Sequence, residues 1–139
     1  MKPIVRNILA VIAGIIAGSV VNMMLVNAGP KVVPLPEGAD VSTMEGLKAS
    51  MALFAPANFL FPFLGHALGT LVGASVAAKI AAGPAMKFGL GLGVWFLLGG
   101  LAMVVMVGGP VWFIVCDLVL AYLPMGWLGG KLAGGKLED

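Results

Sequence analysis

Four apolar runs, at roughly residues 4–26, 59–82, 86–107 and 111–128, divide this chain. Each is close to the ~20 residues a helix needs to cross the hydrocarbon of a bilayer. With 139 residues, 60% of them hydrophobic and only 10% charged, the chain cannot hide its apolar surface in one small core. Lipid is the solvent that these runs require. Barrel strands would alternate over much shorter segments. The expected fold is therefore all-α, a four-helix transmembrane bundle forming a single membrane domain over residues 1–139, with an outer loop at 27–58.

Charge gives the expected orientation. Lys2, Arg6, Lys79, Lys87, Lys131 and Lys136 fall on one side of this four-span map, and only Lys31 and Lys48 fall on the other. The positive-inside rule then places both termini in the cytoplasm. The net charge of +2 follows from that bias, and no basic stripe suggests nucleic acid. Cys116 is the single cysteine, so an intrachain disulfide is excluded.

The start of the chain has the outline of a secretion signal, with Lys2 and Arg6 before an apolar run and Val26-Asn27-Ala28 as a small-residue site. The run is longer than the apolar core of a signal, so a retained anchor is expected. Within it Gly14, Gly18 and Asn22 recur every fourth position and make a stripe for helix packing.

In the outer loop, Pro30, Pro34 and Pro36 predict extended backbone. Ser42 and Glu45 then stand at capping-box spacing, and Met44, Leu47, Met51 and Phe54 recur at helical intervals. A short amphipathic helix near 42–54, lying apolar side down on the outer membrane face, is expected. Glu37, Asp40 and Glu45 match no calcium-loop spacing and read as a solvated acidic loop.

The second span carries the densest pattern. Gly65, Gly69, Gly73, Ala77 and Ala81 recur every fourth position, a ridge on which a partner backbone can approach closely. His66, the only histidine, and Thr70 lie on the same side of that helix, facing protein rather than lipid. The third span has no ionisable group after Lys87, and its Gly89, Gly93 and Gly100 share one face, so it reads as a packing helix. Gly108-Gly109-Pro110 is a very short turn into the fourth span. There Trp112 and Trp127 suit the two interfaces, and Pro124 predicts a kink near Leu120. The glycine-rich tail after Gly129 is expected to be mobile.

Asp117 is the only acidic residue inside a span, and intramembrane carboxylates are costly and usually serve a purpose. Counted from the starts of their spans, His66 and Asp117 both lie roughly 6–10 Å below the outer interface. Ser19 and Asn22 reach a similar level. A polar layer of Ser19, Asn22, His66, Thr70 and Asp117 follows, with His66 and Asp117 as candidate partners. That layer fits three roles. It can hold helices together, it can line an outward cavity and exchange a proton as a substrate passes, or it can be catalytic with Cys116 as nucleophile. The catalytic role is the weakest, because neighbouring Cys116 and Asp117 point about 100° apart on a helix.

Gly89-Leu90-Gly91-Leu92-Gly93 has no strand before it, as a nucleotide loop requires. One histidine and one cysteine fall short of a bis-histidine haem or a structural zinc site. The nine methionines are scattered as packing filler rather than along a copper path. No cofactor or metal is expected.

The runs FLFPFLGHALGTLVGA and PVWFIVCDLVLAYLPMGWLGGKLAG, with PLPEGAD in the loop, resemble small four-span bacterial inner-membrane proteins of no assigned activity. The resemblance spans most of the chain. It implies four helices in the cell inner (plasma) membrane and carries no substrate or site residue with it. A small four-span multidrug transporter would carry a glutamate in the first span, and none stands there. The expected protein is thus non-enzymatic. It is a helix-packing or accessory subunit of a homo-oligomer or larger membrane complex, or alternatively a small oligomeric proton-coupled carrier or channel using His66 and Asp117. The glycine ridges exceed what one bundle needs, which favours partners beyond the lipid bilayer.

Overall fold

The computed structural model describes residues 1–138. It is all-helical, with no strand among the described residues. The helices are α1 (Pro3–Val32), α2 (Met44–Ser50), α3 (Leu60–Ile80), α4 (Ala85–Met106), α5 (Val111–Leu120) and α6 (Leu123–Leu132), with short 3₁₀ turns at Met51–Leu53 and Pro56–Phe59. Four segments are long and apolar enough to cross a membrane: Pro3–Val32, Pro56–Ile80, Ala85–Met106 and Val111–Leu132.

Helix α3 sits at the centre because small residues cover more than half of its circumference. Gly65, Ala67, Gly69, Thr70, Gly73, Ala74, Ala77 and Ala78 are all buried along it, and α1, α4 and α6 pack around it. The α1–α3 seam is backbone against backbone. A methyl group on Gly18 would meet the Gly69 carbonyl oxygen at 2.6 Å, and one on Gly14 would meet that of Gly73 at 2.6 Å. Only glycine fits such a contact, which lets carbonyls and Cα–H groups of the two helices touch. Gly14 also abuts Ala77, so the ridge runs the length of the antiparallel pair.

The other side of the molecule repeats the device. Gly89 and Gly93 of α4 press on Gly126 and Gly130 of α6. Gly129 fits against Leu71, Ala74 and Ser75 of α3. The first turns of α1 cap the far end of α3: Arg6 Nε donates to the Ile80 carbonyl, and the Ala82 N–H donates to Asn7 Oδ1 at 2.7 Å. Orphan carbonyls at a helix end are satisfied in this way. Both termini therefore lie at one end of the bundle and residues 33–58 at the other.

Several sequence expectations are corrected. Helix α1 continues past Val26 to Val32, with Pro30 inside it rather than opening an extended segment. Gly29 packs on Phe61 of α3, and this contact holds the added turn. In the loop the helix is only Met44–Ser50, and Thr43, not Ser42, caps it by accepting the Gly46 N–H at 3.0 Å. Ser42 is diverted to Asp40 Oδ1, donating its hydroxyl at 2.6 Å and its N–H at 2.9 Å. These bonds hold the Asp40 carboxyl below the usual carboxylate range, the hydroxyl contributing most. The Asp40 N–H donates in turn to buried Ser50 Oγ at 2.8 Å.

The fourth span is two helices. Pro124 has no N–H for the Leu120 carbonyl, α5 stops at Leu120, and Tyr122 adopts φ −117°, ψ −76° before α6 begins. The tail is corrected by its packing. Gly129 and Gly130 belong to α6 and are buried, and Gly135 is buried against Met86. Between α4 and α5, Gly108 at φ +80° and Gly109 at φ +140° make a turn that L side chains resist.

Candidate functional site

The break in the fourth span creates the site. Asp117, near the end of α5, is 5% exposed. His66, two turns into α3, places Nδ1 2.8 Å from Asp117 Oδ1 and 3.0 Å from Oδ2. Tyr122 donates its hydroxyl to Oδ2 at 3.0 Å. Its ring also stacks on the imidazole, with centroids 5.8 Å apart. The carboxylate is thus covered by two donors, which is what keeps a buried charge tolerable. Room for the Tyr122 ring comes from Gly100 of α4, where an added methyl would collide with the phenol oxygen at 2.5 Å.

With Nδ1 committed to Asp117, Nε2 is the imidazole nitrogen left to act elsewhere. His66 lines a cavity of about 480 Å³ that also takes in Ser19, Asn22, Thr70, Phe96 and Tyr122. That volume is in the range of small-molecule sites. The cavity lies over α3 in the gap between α1 and α4, two helices that barely touch. Towards the termini end it is floored by Phe96, whose ring fills the space beside Gly18 and Gly73. Beneath Phe96 lies a dry cluster of Val11, Ile15, Ala74, Ala77 and Leu92.

Two side chains that line the cavity, Asn22 and Thr70, each carry a buried oxygen with no partner. Asn22 Oδ1 and Thr70 Oγ1 are buried and make no hydrogen bond. Thr70 is 1% exposed. A helical threonine commonly turns its hydroxyl back to a carbonyl one turn earlier, as Ser75 does to Leu71 at 2.8 Å. Thr70 does not, and a buried hydroxyl left in that state is costly unless something fills the space beside it.

The structure brings His66, Thr70, Asn22 and Ser19 to one cavity, with Asp117 directly behind His66. Cys116 is elsewhere: it is exposed and faces an apolar groove beside Phe59 and Trp112, which removes the nucleophile from the catalytic option. No group of three or more His, Cys, Asp or Glu able to hold a metal occurs among the described residues. The α4 residues of the cavity were missed in the sequence, because that span read as packing alone. Tyr122 was missed too, although a lone tyrosine beside a helix-breaking proline was a usable signal. Comparison of the chain with family models, curated proteins and solved structures finds no match.

Proposed function

We propose that this is a non-enzymatic multi-pass membrane protein that binds a small molecule between α1 and α4 and couples its passage to proton exchange at His66. The observation that carries the proposal is the cavity itself. A helix-packing role for the polar layer needs a dry contact, whereas His66 faces open volume. The glycine ridges that favoured a second copy are filled by the chain's own helices, so they no longer call for an accessory role.

The chemistry follows from the pair. A proton arriving at Nε2 makes His66 a cation hydrogen-bonded to the Asp117 carboxylate, and its departure restores a neutral imidazole held in one tautomer. Tyr122 keeps the carboxylate in place through both states. With the loop end outside and both termini cytoplasmic, as the basic residues favour, the cavity is on the outer side of a plasma membrane. Phe96 then bars the way inward, and α2 lies at the outer surface.

Because His66 is the only histidine, its reaction with diethyl pyrocarbonate can be read without interference. In proteoliposomes loaded with a pH-sensitive dye, a panel of amino acids, amines, carboxylates and uncharged amphiphiles should yield a compound that moves protons and protects His66. The proton movement should vanish in His66→Ala. A histidine that never reacts in the folded protein would sink the proposal.

A further inference from the structure

The same cavity, taken as the binding site proposed above, also opens sideways. Trp95, Leu98 and Met103 of α4 form its outer rim and are exposed on the surface that a bilayer would bathe. The polar groups, Asn22, Thr70 and His66, lie inside. Among the described residues no lysine, arginine or acidic side chain lines the space, so a phosphate or quaternary ammonium head would find no counter-charge. A buried charge without one is strongly disfavoured.

We infer that the occupant is an uncharged amphiphile that enters from the bilayer. Its hydroxyl or carbonyl head bonds to Thr70, Asn22 and His66 Nε2, and its apolar chain lies out over Trp95 and Leu98. Thr70 Oγ1 and Asn22 Oδ1 have no partner and are closed off from solvent, so side-chain rotation on binding is what presents a hydroxyl that donates or accepts and a carbonyl that accepts. A head group that does both satisfies them. A water-soluble solute would leave the apolar rim unused.

The test uses Trp95 as a reporter. In a Trp112→Phe, Trp127→Phe background it is the sole tryptophan. The full-length protein is reconstituted in phosphatidylcholine vesicles with either brominated monoacylglycerol or brominated phosphatidylcholine, whose bromines quench indole on contact. Monoacylglycerol should quench saturably at low mole fraction, several-fold more than phosphatidylcholine. Thr70→Val, which keeps the shape and removes the hydroxyl, should weaken that quenching roughly tenfold. Gly99→Leu should abolish it. Gly99 lines the cavity, and a Cβ there meets nothing within 4 Å, so this variant plugs the groove without straining the fold.

Equal quenching by the two amphiphiles, or monoacylglycerol quenching that survives Gly99→Leu, overturns the inference. So does proton exchange driven by a water-soluble solute without selective quenching, which leaves the proposed function intact. Selective, Gly99-sensitive quenching in a protein that moves no protons supports the inference and overturns proton exchange alone.

Discussion

Tyr122 stands five residues beyond Asp117 and still donates its hydroxyl to that carboxylate at 3.0 Å. On one continuous helix, residues five apart point about 140° away from each other. The break between α5 and α6 turns Tyr122 back, so a proline-driven fault in the span completes the His66–Asp117 pair. The three side chains should therefore act as a unit. His66→Ala and Asp117→Asn, measured by unfolding in mild detergent, should show a coupling of about 1 kcal/mol. Tyr122→Phe should cost about 1 kcal/mol. Strictly additive effects would mean that the hydrogen bonds carry no energy.

The glycines divide into two kinds that composition alone does not separate. Gly18 faces the Gly69 carbonyl, whereas a Cβ on Gly91 meets nothing within 4 Å. Gly18→Leu should force α1 off α3 and destabilise by about 1–3 kcal/mol or more. Gly91→Leu, on an exposed helical face, should be neutral or stabilising by up to about 1 kcal/mol, since glycine is a poor helix former. Thermal melts of the two variants beside the parent protein check the contrast.

What the sequence allowed and what it hid have physical reasons. Helix count was legible because apolar length is a property of each segment alone. The meeting of His66 and Asp117 was legible because both are titratable, and both stand at similar depth in parallel spans. The role of Tyr122 was hidden because the kink predicted at Pro124 does not by itself say that residue 122 turns back towards Asp117. The end of α1 was hidden because Pro30 signals a turn locally, while the contact of Gly29 with Phe61 is tertiary and outweighs it. The cap fell to Thr43 rather than Ser42 because Asp40 took the Ser42 hydroxyl. The cavity was invisible, since a gap between α1 and α4 depends on how two helices lean on a third.

The orientation has its own check. In a Cys116→Ala background, a cysteine placed at Glu37 should react with a membrane-impermeant maleimide on intact cells. One placed at Lys136 should react only after the membrane is opened. The reverse pattern would invert the topology that the basic residues favour and move the cavity to the inner side.

The loop has a pH response whose sign follows from Asp40. Its carboxyl is lowered from 3.8 by the Ser42 hydroxyl and then by the Ser42 N–H. A group lowered in the folded state adds stability above its unfolded value, and that stability is lost as pH falls through the folded one. Hydrogen exchange at the Ser42 amide should therefore show protection relative to an unstructured peptide that is steady near neutrality and falls away in acid below 3.8. Asp40→Asn should flatten that profile. The side chain is exposed, so the effect stays local to residues 40–50.

Phe96 is the residue on which passage through the bundle turns. Its ring lies between the cavity and the dry cluster of Val11, Ile15 and Leu92, and it is lodged beside Gly18 and Gly73, so no side chain from α1 or α3 can replace it. Phe96 is only partly buried, so truncation to alanine should cost less than the ~3–5 kcal/mol of a fully buried phenylalanine. The void it leaves would also extend the polar cavity down to that cluster. In dye-loaded proteoliposomes, Phe96→Ala should raise passive proton entry several-fold over the parent protein. Phe96→Leu, which keeps most of the volume, should raise it little. If Phe96→Ala stays as tight as the parent while melting at a lower temperature, the ring serves packing alone and the barrier to protons lies in the cluster beneath it.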